Sequence, residues 1–81
     1  MNETERFELE YKRLIKKYDS SQLSREEAAK EIRKSVSTLD RMKARGHGPS
    51  YKKDTGAKNS TVRYPIYAVA EYIVHANIKT I

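Results

Sequence analysis

The sequence predicts a mainly α-helical domain that carries one small β-hairpin. Three observations predict it. Apolar residues recur at helical spacing near both ends of the chain. Two serines stand at cap positions ahead of two short helical stretches in the middle. Before the last helix, a stretch alternates on either side of a run of turn residues. At 81 residues the chain is expected to form one domain with a modest core.

The first element is a helix from about Thr4 to Tyr18. Phe7, Tyr11, Leu14, Ile15 and Tyr18 fall within roughly a 100° arc of a helical wheel, and charges fill the other faces. Asp19, Ser20 and Ser21 form a polar break after it. This stripe either packs on the domain's own core or binds a partner, which makes its five residues the candidate partner-binding set.

The second element opens with Leu23-Ser24-Arg25-Glu26-Glu27-Ala28. Ser24 can cap the helix, Glu27 can reach back as the third helical residue, and Leu23 and Ala28 sit at the two ends of a hydrophobic staple. Ala28, Ala29 and Ile32 supply the buried face, and the helix is expected to end near Arg33.

The third element starts at the cap Ser35, with Val36 as its first helical residue, and runs to about Arg45. Gly46 can take the left-handed conformation after its end. Leu39 and Met42 point inward, whereas Ser37, Asp40, Arg41 and Ala44 point away, with Arg45 on the flank. Two short helices joined by so tight a turn form a helix-turn-helix.

Next comes the hairpin. Tyr51, Val62 and Tyr64 alternate with Lys52 and Arg63, and Asp54-Thr55-Gly56-Ala57-Lys58-Asn59 is turn chemistry. Pro65 suits the first turn of a last helix, whose buried face is Ile66, Val69, Ala70 and Ile73, bordered by Tyr72. The expected architecture is a winged helix-turn-helix with an added N-terminal amphipathic helix. Residues 1–20 form the N-terminal extension, 21–77 the winged helix-turn-helix, and 78–81 a short tail.

The formal net charge of +6 is unevenly placed. Residues 1–20 balance five bases against five acids, and residues 65–81 balance Lys79 against Glu71. Residues 21–46 sum to +3, and so do residues 47–64. A positive field confined to the middle of the chain attracts a polyanion and speeds encounter with it.

Several function classes are excluded on inventory. The chain has no cysteine, so disulfides and thiolate metal sites are out. No apolar run approaches the roughly 20 residues that span a bilayer, and the N-terminus is charged from Glu3 onward, unlike a signal peptide. The expected location is the cytoplasm, on the nucleoid, with no membrane partner. His47 lies between glycines in a loop, and His75 near the exposed end of the last helix. They are far apart, so no nucleophile, base and orienting group come together, and no metal spacing or glycine-rich phosphate loop is present. Neither an enzyme nor a bound cofactor is expected.

The remaining class is DNA binding. A helix of this size fits the major groove, where outward polar side chains reach base edges. Arg41 and Arg45 lie near one face, and an arginine can make two parallel hydrogen bonds to guanine. Ser37 and Thr38, in the first turn, can meet a phosphate or a base, and Lys34 is placed for phosphate. Lys52, Lys53, Lys58 and Arg63 make the hairpin a basic device for tracking the backbone or entering the minor groove.

These residues resemble the excisionase and AlpA-like DNA-binding proteins, whose winged-helix fold is similar to the DNA-binding domain of MerR regulators. The resemblance runs from about Leu23 to Val74. It is carried by Leu23 through Ile32, by Ser35 with Thr38, Leu39 and Arg41, by Gly48-Pro49-Ser50-Tyr51, and by Val62-Arg63-Tyr64. It implies a second helix that enters the major groove and a wing that touches the adjacent minor groove. In it, Ser35 corresponds to the cap serine, Leu39 to the core leucine and Arg41 to the groove-facing position. Arg63 corresponds to the arginine that ends the wing. Where the family usually has a glycine and an apolar residue in the turn, this chain has Arg33 and Lys34. The first twenty residues lie outside the resemblance.

Family members act as excisionases, helping an integrase or other recombinase excise a mobile element, or as small transcription regulators of such elements. Either role fits the sequence. In the first, several copies would bind adjacent sites on double-stranded DNA cooperatively, by self-association. A third possibility, from another class, is a protein-binding adaptor that docks its first helix in a partner's groove and has negligible DNA affinity.

Overall fold

The computed structural model describes residues 2–54 and 61–78. It is mainly helical, with a small antiparallel sheet of three strands. In chain order the elements are α1 (Glu3–Tyr18), β1 (Gln22–Leu23), α2 (Arg25–Glu31), α3 (Val36–Ala44), β2 (Lys52–Asp54), β3 (Thr61–Pro65) and α4 (Ile66–Ile78). No described helix is long and apolar enough to cross a membrane.

The helix starts are set locally. Asn2 caps α1 by accepting from the Glu5 N–H at 2.8 Å. Ser24 and Glu27 form the reciprocal capping box expected for α2: the Glu27 N–H donates to Ser24 Oγ, and the Ser24 N–H donates to Glu27 Oε1. Both staple residues, Leu23 and Ala28, are fully buried. Ser35 caps α3 by accepting from the Thr38 N–H at 3.1 Å. The ends fall slightly earlier than expected. α2 stops at Glu31, capped by Ile32, and α3 at Ala44, capped by Arg45.

The sheet differs from a lone hairpin. β2 pairs with β3 in the register Lys52↔Arg63, Lys53↔Val62 and Asp54↔Thr61. β3 also pairs on its other side with β1, Gln22 against Pro65 and Leu23 against Tyr64, so β3 is the central strand. β1 was not expected, because two residues carry no alternation. Pro65 closes this strand and does not open α4, whose first residue is Ile66. The Ile66 N–H donates to the Ser21 carbonyl at 2.9 Å, tying the start of α4 to the segment before β1.

One core joins all the helices and the inner face of the sheet. Leu14, Leu23, Ala28, Ala29, Ile32, Leu39, Tyr64, Ile66, Val69 and Ala70 form it, with Phe7, Ile15, Tyr18, Met42 and Ile73 packed around them. α1 lies mainly along α4. Its apolar stripe therefore serves the protein's own core: Leu14 is fully buried, and Phe7, Ile15 and Tyr18 are partly covered. Only Tyr11 of the five candidate partner-binding residues is exposed, at 36 %, and its ring packs on Phe7. The last helix runs through Ile78, one residue beyond the expected boundary, and residues 79–81 lie outside those described.

α1 is also fastened to α2 by charge. Arg13 and Lys17 reach Glu31 at 3.2 and 2.7 Å, and the Tyr18 hydroxyl donates to the same carboxylate, whose side chain is only 5 % exposed. Burial pushes the Glu31 carboxyl up, but the hydrogen bonds from Lys17, Tyr18 and Arg13 outweigh it and hold it below the usual glutamate range. Burial, and then the hydrogen bond to Glu31, push the Tyr18 phenol up to about 12.

Candidate nucleic-acid interface

α3 presents one polar face to solvent. At 3.6 residues per turn, Ser37, Arg41, Ala44 and Arg45 fall within roughly 100° of one another, and all four are exposed. The opposite face holds buried Leu39 and half-buried Met42. The exposed face thus carries two long cations, Arg41 and Arg45, beside two small residues, Ser37 and Ala44. Thr38 is half-buried, and its hydroxyl oxygen accepts from the Ser35 hydroxyl at 2.9 Å. Lys34 is exposed in the turn before the helix.

Asp40 departs from expectation. It does not point away from the protein: it pairs with Arg25 of α2 at 3.0 Å, and its Oδ1 is buried. The reason is tertiary, since Arg25 stands at the first position of α2, facing α3. This contact matters for the face as a whole, because it turns the one acid of α3 away from the exposed arginines. The buried hydroxyl of Tyr64 lies in the field of the same carboxylate. Burial first, and then Asp40, raise the Tyr64 phenol above its ordinary value.

The sheet supplies the second basic group. Cross-strand partners share a face, so Lys52 and Arg63 stand together on the side opposite buried Leu23 and Tyr64. Gln22, paired with Pro65, belongs to the same outer face. Ser20, Gln22, Lys52, Lys53 and Arg63 line one open cleft. Lys53 sits opposite Val62 and lines this cleft from the edge strand. Lys58, the fourth expected hairpin cation, lies outside the described residues.

Three contributors were not expected from sequence. Lys43 places its ammonium 5.4 Å from the centre of the Tyr51 ring, which packs on Tyr64, joining the end of α3 to the base of the hairpin. Ser20 and Gln22 join the basic cleft through strand pairing alone. A lysine eight residues ahead of an aromatic gives no local signal for the first contact, and nothing near Gln22 announces the second.

Among the described residues, the Lys and Arg ion pairs join Arg13 to Glu10 and Glu31, Lys17 to Glu31, and Arg25 to Glu26 and Asp40. None of them uses Lys34, Arg41, Arg45, Lys52, Lys53 or Arg63. Acids therefore neutralise Arg13, Lys17 and Arg25, while the cations of α3 and the sheet form no ion pair among the described residues, like Arg6, Lys12, Lys16 and Lys30 of α1 and α2. The arrangement can hold a polyanion at two places, the outer face of α3 and the outer face of the sheet. Compared with known proteins, the chain matches no family model, no characterised protein and no solved structure.

Proposed function

We propose that this chain is a sequence-specific DNA-binding protein that acts as a winged helix-turn-helix. α2 and α3 are the two helices of that unit, α3 enters the major groove, and the β2–β3 hairpin is the wing. The observation that carries this reading is the unneutralised charge of Arg41 and Arg45 on α3 and of Lys52, Lys53 and Arg63 on the sheet. These cations are exposed and form no ion pair among the described residues, and the one acid of α3, Asp40, is turned to Arg25. In this reading Arg41 and Arg45 read base edges, Ser37 and Thr38 meet the first phosphate or base of the site, and Lys34 and the wing cations hold the backbone.

The resemblance to excisionases extends the proposal. The protein would help an integrase excise a mobile element by binding adjacent sites on duplex DNA. Regulation of transcription from such an element is the alternative role, and the layout of binding sites separates the two: tandem sites beside an attachment site, or a palindrome over a promoter. The underlying claim is tested by titrating the protein onto duplex DNA at several salt concentrations. Affinity that falls steeply with salt supports it, and a flat response rejects it.

A further inference from the structure

Two basic clefts stand out among the described residues, and they differ in the acids that line them. One lies between α1, the end of α2 and α4, and includes Arg13, Lys17, Lys30 and Arg33. Glu10 and Glu31 line it as well, and they already hold Arg13 and Lys17. The other, at Ser20, Gln22, Lys52, Lys53 and Arg63, has three cations and no acid among its described lining residues.

Taken as a pair, Lys52 and Arg63 are an unfavourable arrangement. Lys52 and Arg63 are direct cross-strand partners, and like charges placed opposite one another destabilise a sheet. A lone lysine on the edge strand guards against edge-to-edge pairing, but that role does not call for an arginine facing it on the central strand. An anion seated between the two would remove the repulsion.

The neutral side of the cleft is held in place before any ligand arrives. The Ser20 hydroxyl donates to the Gln22 carbonyl at 3.0 Å, and the Gln22 N–H donates back to Ser20 Oγ at 3.2 Å. The Ser21 carbonyl between them accepts from the Ile66 N–H. Gln22 is then fixed in register with Pro65, on the face that carries Arg63.

We propose that this cleft binds a single phosphate group between Lys52 and Arg63, with the side-chain amide of Gln22 as a neutral donor and Ser20 as a positioning residue. Arg63 offers a planar fork that matches two phosphate oxygens, Lys52 supplies point charge, and Gln22 adds a directed N–H. The inference rests on the DNA reading only for the source of the phosphate, which is then one backbone position of a duplex. β1, outside the hairpin, thereby becomes part of the interface.

The test has two arms. In the first, free protein is titrated with inorganic phosphate, against chloride at matched ionic strength, and followed by amide and arginine Nε–H NMR shifts. Shifts centred on Gln22, Lys52 and Arg63, and abolished in Gln22→Glu, are expected. No shift at these residues, or the same shifts in the variant, overturns the proposal. Gln22 is exposed, so the variant keeps the fold, as the rest of its spectrum will show.

In the second arm, duplexes carry a neutral methylphosphonate at one position at a time. Wild type should lose about 2- to 10-fold in affinity at one phosphate, the size of one or two polar contacts, and Gln22→Glu should be insensitive there. An identical position profile for both proteins overturns the assignment to DNA backbone. Phosphate shifts in a protein that binds no duplex would support the cleft while rejecting the DNA reading.

Discussion

Arg33 ends α2 in the same left-handed conformation that Gly46 adopts at the end of α3, with φ of 61° and 75° respectively. The two ends are hydrogen-bonded alike. The Arg33 and Lys34 N–H groups donate to the Lys30 and Ala29 carbonyls, as those of Gly46 and His47 do to Lys43 and Met42. Both are Schellman motifs, in which the left-handed position usually belongs to glycine. Replacing Arg33 by glycine should stabilise the protein by about 0.5–1 kcal/mol, the relief of left-handed strain less the added freedom of the unfolded chain. Thermal unfolding should then move up by several degrees. An unchanged or lower midpoint would show that Arg33 gains more from its side-chain setting than it loses in backbone strain.

Glu31 is the point through which α1 is fastened to α2. Glu31→Gln should cost about 1–3 kcal/mol at neutral pH, because the Arg13, Lys17 and Tyr18 donors lose their charged acceptor. The folded carboxyl ionises below its unfolded value, so its contribution is complete above the ordinary glutamate range near about 4.3. It is lost as pH falls through the folded value. Urea unfolding of wild type and variant should differ at pH 7 and converge in strong acid. A constant gap across that range would mean that packing, not charge, sets the effect.

Arg41 tests the assignment of base reading to α3. Arg41→Ala should weaken binding to the specific site by about 1–3 kcal/mol and affect random duplex much less. An equal loss on both would make Arg41 a phosphate contact.

Under the proposed reading, the β2–β3 hairpin should contribute affinity more than specificity. With about four to six phosphate contacts, the slope of log K against log salt should lie near −4 to −5. Replacing Lys52, Lys53 and Lys58 by alanine should flatten it by up to about three units and weaken all duplexes alike. An unchanged slope would place the hairpin away from DNA.

The parts of this fold that could be read from sequence are those whose cause is local. Ser24 with Glu27, and Ser35 with the helix it opens, act within four residues, so both helix starts were legible. The sharing of one face by Lys52 and Arg63 was legible because Tyr51, Val62 and Tyr64 alternate with them, although the pairing register itself was not. What escaped depends on contacts between distant segments. β1 exists only because β3 offers it a partner. Asp40 turns inward only because Arg25 waits on α2, and Gln22 enters the basic cleft only through its pairing with Pro65. For the stripe on α1, periodicity showed that it must be covered but not by what. The structure covers most of it with α4 and leaves Tyr11 at its margin.

That covering bears on assembly. Burying Leu14 and screening Phe7, Ile15 and Tyr18 within one chain leaves little of the stripe for a second copy. The large apolar side chains still exposed among the described residues are Leu9, Tyr11, Tyr51 and Tyr67. Leu9 and Tyr11 lie about 160° apart around α1 and so form no common patch. Stable dimers bury on the order of 800 Å² per partner around an apolar centre, which scattered single side chains do not provide. The free protein should therefore sediment as a monomer at micromolar concentration. If α3 reads DNA as proposed, one helix of its size makes few base contacts, so a single copy should bind loosely. Occupancy should rise cooperatively on a fragment with adjacent sites, where neighbouring copies raise one another's effective concentration. Sedimentation equilibrium without DNA and the Hill slope on single-site and multi-site fragments decide the matter together. A dimer in the absence of DNA would contradict the monomer and favour a two-fold operator, as a regulator would use. A monomer that fills adjacent sites independently would leave a simple single-site binder and remove the cooperative assembly expected of an excision factor.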